Sequence, residues 1–207
     1  MGESAFVAVE GIDASGKTTL TAALATALRH RGLVVAEHKE PSRGPIGMVF
    51  RHLSATGGCP AMMMALLSSA DRHQQQEHLA AARQRCQVLL ADRYYLSGLA
   101  YHAADGIALT FYQQLNQQVT KPDVYLYLDI TPTLAARRTS GGPDGYWEQP
   151  EFAARLPGAY DTSLTLVTKT EDARVIRIDA SQPAHAVLDT ALAALCAVRP
   201  NLLKDMG

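Results

Sequence analysis

Nine residues near the N-terminus, Gly11 to Thr19 (GIDASGKTT), do most to narrow what this chain can fold into. They fit the pattern GxxxxGK[ST], with Gly11, Gly16, Lys17 and Thr18 in the required places. Ahead of them runs Ala5-Phe6-Val7-Ala8-Val9, apolar and rich in β-formers, which predicts a buried strand. Behind them Leu20, Ala23, Leu24, Ala27 and Leu28 recur at helical spacing over 17–31. A strand, a glycine loop and a helix N-terminus in that order cradle a phosphate. The glycines let the backbone bend round the anion, and amide N–H groups and the helix dipole point at it. Lys17 would reach the β- and γ-phosphates, and the Thr18 hydroxyl would ligate Mg²⁺. The alternative is a glycine turn that only caps a helix.

The remaining elements alternate. Leu33-Val34-Val35-Ala36 predicts a second strand, and a loop with two prolines, Glu40-Pro41-Ser42-Arg43-Gly44-Pro45, follows it. Residues 46–53 predict a short helix, and 61–85 a long one that includes Met62-Met63-Met64, read as core or interface filler. Val88-Leu89-Leu90-Ala91-Asp92 is an apolar strand, and Tyr94 to Ala104 a helix. A helix over 107–119 and a strand over 124–129 come next. Thr131-Pro132 opens a helix that carries Arg137-Arg138. The Gly/Pro-rich run from Thr139 suits a mobile lid over about 139–150. A helix over 152–169 should break at Leu156-Pro157-Gly158, Arg174-Val175-Ile176-Arg177-Ile178 is a fifth strand, and 183–198 a closing helix. These elements predict one three-layer α/β/α domain over 1–207, a P-loop NTPase fold with a mainly parallel five-stranded sheet.

Composition limits the function classes. With 207 residues, 47% hydrophobic and 19% charged, the chain can bury the core of one α/β domain. Nineteen basic against 20 acidic residues, a net charge of −1, give no support to a nucleic-acid or anionic-membrane partner. No apolar run could span a bilayer and no signal pattern opens the chain. Cys59, Cys86 and Cys196 are odd in number and lack CxxC spacing, which predicts reduced thiols and a cytoplasmic location. His73 and His78 point to different helix sides, so no His-based metal site is expected.

Asp92 at the end of an apolar strand has the form of a Walker B carboxylate that helps hold Mg²⁺, and Arg93 beside it can neutralise a transferring phosphoryl group. A strand-end salt bridge is the alternative. Arg43 lies in a loop at a strand's carboxyl end, where α/β sheets place ligands, and can hold a phosphate unless it is a solvated surface arginine. Asp71-Arg72 is either a cleft-facing pair or exposed helix charge. The guanine-reading NKxD is absent. Arg43, Arg72, Arg93 and Arg138 favour a small-molecule kinase, since two phosphorylated substrates need several cations to bring their anions together.

On these residues the chain resembles the thymidylate kinases. Gly11–Thr19, Glu40-Pro41, Ala70-Asp71-Arg72, Asp92-Arg93-Tyr94, Ser97 with Ala100-Tyr101, and Lys121-Pro122-Asp123 appear in that family's order. The resemblance implies transfer of the γ-phosphoryl of ATP to dTMP, giving dTDP and ADP with Mg²⁺, and a homodimer. It implies that Gly11, Ile12, Asp13, Ala14, Ser15, Gly16, Lys17, Thr18 and Thr19 bind ATP, with Thr18 and Asp92 on the metal. Lys17, Asp92, Arg93 and Arg138 would be catalytic. Asp13, Arg43, Ser68, Arg72, Arg93, Tyr101, His102 and Trp147 would bind the acceptor, with Arg43 on its phosphate, Arg72 on its base and Trp147-Glu148 closing over it.

The chain also departs from the family. Ser68 stands where an aromatic commonly stacks on thymine, and His102 where bacterial members commonly have Gln. Ala14-Ser15 bring no arginine into the loop, and Thr139 to Gln149 contains none, which leaves Arg137, Arg138 or Arg155. A kinase for another nucleotide or a nucleoside, and a weakly active nucleotide-binding regulatory module, are the competing expectations.

Overall fold

A computed structural model describes residues 4–138, 147, 149–171 and 173–198. Strands β1 (Ala5–Glu10), β2 (Val35–Lys39), β3 (Val88–Asp92), β4 (Val124–Asp129) and β5 (Arg174–Asp179) form one sheet in the order β2-β3-β1-β4-β5. Every neighbouring pair is parallel. The expectation was a mainly parallel sheet; the described sheet is wholly so. Strands β1 and β3 are buried along their whole length, which is why they read as unbroken apolar runs.

The second strand lies further along than its apolar run suggested. As an edge strand with one half-exposed face, β2 continues through Glu37, His38 and Lys39. This puts Lys39 in register with Asp92. The long helix predicted over 61–85 is two helices, α3 (Ala61–Gln74) and α4 (Gln76–Arg83), divided at Gln75. The short helix before them, α2, is longer than expected, Pro45–Thr56. The helix predicted over 107–119 is confined to Leu109–Leu115. The helix opened by Pro132 ends at Ala136, so Arg137 and Arg138 lie just past it. The break predicted at Leu156-Pro157-Gly158 falls earlier, at Ala154 and Arg155, because Pro157 sits in the first turn of the helix Leu156–Thr170, where no amide donor is missed.

Two helices carry most of the site. Helix α1 (Lys17–His30) follows β1 through the glycine loop. Helix α5 (Tyr95–Ala104) is buried on all sides except at Ala103 and follows β3. Both start at carboxyl ends of central strands, where the order of connection reverses and parallel sheets open a crevice.

Candidate active site

Two clefts open at this edge. The P-loop cleft, about 910 Å³, runs along Asp13–Thr19 to the turn at Ala180–Ala184. The aromatic cleft, about 410 Å³, lies between α2, α3 and α5. Both sizes suit small molecules. Asp13, Glu40, Pro41, Arg51 and Arg93 line both clefts and so form the joint between them.

The glycine loop needs its unusual backbone. Gly11 has φ 145°, and a Cβ there would lie 2.8 Å from the carbonyl of Leu128. Ala14 takes a left-handed φ of 58° without being glycine. Lys17 Nζ donates to the Ile12 carbonyl at 2.5 Å. Burial, with the charge of Arg93 adding to it, pushes Lys17 down to about 7. Gly11 and Ile12 line neither cleft: Ile12 is buried, and the Gly11 carbonyl accepts from Arg93 and Tyr160. They shape the loop from below. Asp13 to Thr19 form its open surface.

At the metal-side end, the Thr18 hydroxyl donates to Asp92 Oδ2 at 2.6 Å. Lys39 Nζ stands 2.7 Å from the same oxygen and 3.1 Å from Thr18 Oγ1. A hydroxyl and a carboxylate are hard oxygen donors of the kind Mg²⁺ takes, and the Lys39 ammonium lies on both. No cluster of three or more His, Cys, Asp or Glu suited to a metal occurs among the described residues.

Arg93 crosses the joint. It has a left-handed φ of 66°, a strained conformation for a long side chain, while its amide donates to the Val9 carbonyl at 3.0 Å. Its guanidinium pairs with Asp13 and approaches Ser97 Oγ at 3.2 Å. Tyr101 donates to the other Asp13 oxygen at 2.8 Å. Burial alone would raise the Asp13 carboxyl; the charges of Arg93 and Lys17 hold it below its ordinary value. Glu10, beneath, is raised by burial and accepts from Ser97 and the Tyr94 amide.

Asp71 and Arg72 are neither exposed nor free. Asp71 accepts from the Ser42 amide at 2.7 Å and the Ser42 hydroxyl at 2.5 Å. Arg72, 1% exposed, has all five N–H donors engaged: two on Glu40, one each on Tyr112, Asn116 and the Tyr94 carbonyl. It lines the aromatic cleft, but a bond to a base would have to replace one of these five. The pair therefore ties the loop after β2 to α3. With Ser42 fastened inward, Arg43, expected on the acceptor phosphate, is exposed and lines neither cleft.

The arginine beside this loop that lines both clefts is Arg51, which was not among the expected site residues. Its guanidinium donates to the carbonyls of Pro41 and, at 2.6 Å, Ser42. Gly47, four residues earlier on the same helix face, brings α2 so close that a Cβ would lie 2.7 Å from the Ser42 amide. A glycine one turn before an arginine, next to a Pro loop, was the available signal.

Ser68 replaces an aromatic with a relay. Arg72 donates to the Tyr112 hydroxyl at 3.1 Å, Tyr112 lies 2.8 Å from Ser68 Oγ, and His102 Nε2 lies 2.7 Å from it. Ser68 also donates to the Ala65 carbonyl at 3.0 Å. With each proton used once, Tyr112 and His102 both donate to Ser68. That assigns the Nε2–H tautomer and leaves a lone pair on His102 Nδ1, which is buried and has no partner. Burial, then the Arg72 charge, push His102 down to about 3, so the ring is neutral. Trp147 stands 5.3 Å from Phe50 and 5.6 Å from Tyr101, ring centre to ring centre, and restores aromatic walls that Ser68 lacks. Phe50 had no sequence signal.

Arg138 lines the P-loop cleft alone, donating to the Ala180 carbonyl at 2.6 Å. It also approaches the Ser15 carbonyl of the glycine loop at 3.5 Å. Arg137 and Arg155 are exposed, Arg155 lying over the Phe152 ring. Of the lid predicted over 139–150, only Trp147, Gln149 and Pro150 are described; Glu148 lies outside the described residues.

A family model described as thymidylate kinase matches residues 9–191. The thymidylate kinase of Xanthomonas oryzae pv. oryzae is 37% identical over 191 residues, covering 90% of this chain and 84% of that protein. That of Xylella fastidiosa is 36% identical over 204 residues, covering 97% and 95%. The solved thymidylate kinase of Candida albicans matches with a TM-score of 0.78 at 22% identity, over 97% of this chain and 94% of that one, a likeness of fold.

Proposed function

This chain belongs to the thymidylate kinase family, and we propose that it transfers the γ-phosphoryl of ATP to dTMP, giving dTDP and ADP. The observation that carries this is the shared joint: two nucleotide-sized clefts meet at Asp13, Arg51 and Arg93. ATP lies in the P-loop cleft with its phosphates on Lys17 and the loop amides. The acceptor lies in the aromatic cleft with its phosphate at Arg51. An acceptor phosphate oxygen attacks the γ-phosphorus, the bond from that phosphorus to the β–γ bridging oxygen breaks, and ADP leaves. Arg93 and Arg51 stand beside the oxygens where charge collects.

Thr18 and Asp92 are the residues that would hold Mg²⁺, which would supply charge neutralisation for the transferring phosphoryl group. Arg138 holds the donor side. The base lies in the aromatic cleft against the Phe50–Trp147 pair. The neutral His102 ring lines the same cleft. The segment over 139–150 serves as lid. The protein is cytoplasmic and acts as a homodimer, for which exposed Met48, Val49, Met62, Met63 and Leu66 on α2 and α3 supply an apolar face.

A coupled ATP assay across dTMP, dUMP, dCMP, dGMP and dAMP tests the reading. dTMP should be turned over and dCMP poorly. Good turnover of another monophosphate without dTMP would overturn the substrate. ATP binding without acceptor-stimulated ADP production would overturn the reaction and favour a regulatory module.

A further inference from the structure

Lys39 occupies a place that its sequence neighbourhood did not suggest. Parallel register between β2 and β3 sets it beside Asp92. Its Nζ contacts Asp92 Oδ2 at 2.7 Å and Thr18 Oγ1 at 3.1 Å, the two oxygens assigned above to Mg²⁺. The Asp92 side chain is 6% exposed and that of Lys39 55%. The carboxylate is therefore fixed inside the cleft, while the lysine enters from solvent and is free to leave.

We propose that Lys39 is the resident cation of the metal position: it stands on Thr18 and Asp92 while no metal is present and is displaced when Mg²⁺ arrives with ATP. The inference rests on the reading of Thr18 and Asp92 as the metal-side groups. A buried carboxylate without a counter-charge is costly, so a cation belongs there in every state of the protein. Two cations cannot share the two oxygens, because their repulsion at about 4 Å is large in a partly dry cleft. The ordinary alternative is a half-exposed salt bridge of little consequence for stability. It leaves the double contact to the Thr18 hydroxyl and the carboxylate without a role.

The consequence is a coupling between Lys39 and the metal. Metal-free ATP binds with Lys39 as a counter-charge for its phosphates. Mg²⁺–ATP binds with Lys39 moved aside. Lys39 therefore strengthens metal-free binding and reduces the gain that Mg²⁺ brings.

Calorimetric ATP binding to the full chain, in EDTA and in excess Mg²⁺, tests this with Lys39→Met, Lys39→Arg and Asp92→Asn. Lys39→Met should lose about tenfold in EDTA, the scale of one charge near a phosphate. It should change less than about twofold in Mg²⁺, and Lys39→Arg should keep most of the EDTA affinity. An equal loss for Lys39→Met in both media, or none in either, overturns the proposal. Asp92→Asn should cut the gain from Mg²⁺. If it keeps the full gain, the metal assignment itself is wrong. If the gain falls while Lys39→Met loses equally in both media, only the role of Lys39 is wrong.

Discussion

The hydroxyl of Ser68 lies 2.7 Å from Nε2 of His102 and so orients a buried imidazole. Burial holds that imidazole neutral, with its value pushed down to about 3. An unfolded histidine takes a proton near 6.5, so between pH 6.5 and 3 the unfolded chain binds more protons than the folded one. Stability should therefore fall as pH drops through that window, by about 3 kcal/mol between pH 7 and 4.5 from this residue. Urea unfolding at the two pH values, in wild type and His102→Gln, measures the difference. By NMR the His102 ring should show no titration between pH 5 and 8.

Gly98 on α5 faces Tyr112, the middle of the same relay. A Cβ at Gly98 would meet the Tyr112 ring, 2.8 Å from Cζ. Gly98→Ala should push Tyr112 away from Ser68 and Arg72 and cost about 1–3 kcal/mol by overpacking. Thermal unfolding reads the stability loss. KM for the acceptor should rise more than KM for ATP, since Gly98, Ser68 and Arg72 line the aromatic cleft and not the P-loop cleft.

Arg51 and Arg43 separate two assignments of the acceptor phosphate. Arg51 lines the joint and Arg43 is exposed. A charged hydrogen bond at the reacting centre is worth about 1.5–3 kcal/mol. Arg51→Met should then lower kcat/KM by roughly ten- to a hundredfold. Arg43→Ala should stay within about threefold, as surface changes do. Steady-state kinetics of the two variants decides; the reverse ranking would restore Arg43.

Lys17 is pushed down to about 7 in the protein without nucleotide, so at pH 8 most molecules hold it neutral. A bound triphosphate favours the ammonium and raises that value. ATP binding should take up close to one proton at pH 8 and far less at pH 6, and affinity should weaken as pH rises above 7. Calorimetry in buffers of different ionisation enthalpy counts the protons. Lys17→Ala should abolish this uptake together with turnover while the fold remains.

Local chemistry decided most of the architecture. Gly11–Thr19 between an apolar strand and a helix, and Asp92 at the end of another, were legible as a phosphate and metal edge because each depends on residues adjacent in the chain. Buried parallel strands show up as apolar runs, so β1, β3 and β4 stood where expected. The edge strand β2 did not, because an edge exposes polar residues that look like loop.

What tertiary structure alone decided lies where separate elements meet. Arg51 reaches the joint because Gly47 lets α2 press against the loop that Asp71 holds. Arg72, expected on the base, is turned inward by Glu40, Tyr112 and Asn116, which lie 32, 40 and 44 residues away. Trp147 finds Phe50 across the chain and makes good the ring missing at Ser68. The loop motif states that a phosphate binds; the contacts between distant side chains decide which cations meet it and which base lies beside it. Sequence alone determines bonding between chain neighbours, whereas cleft chemistry depends on distances that exist only after the strands have taken their register.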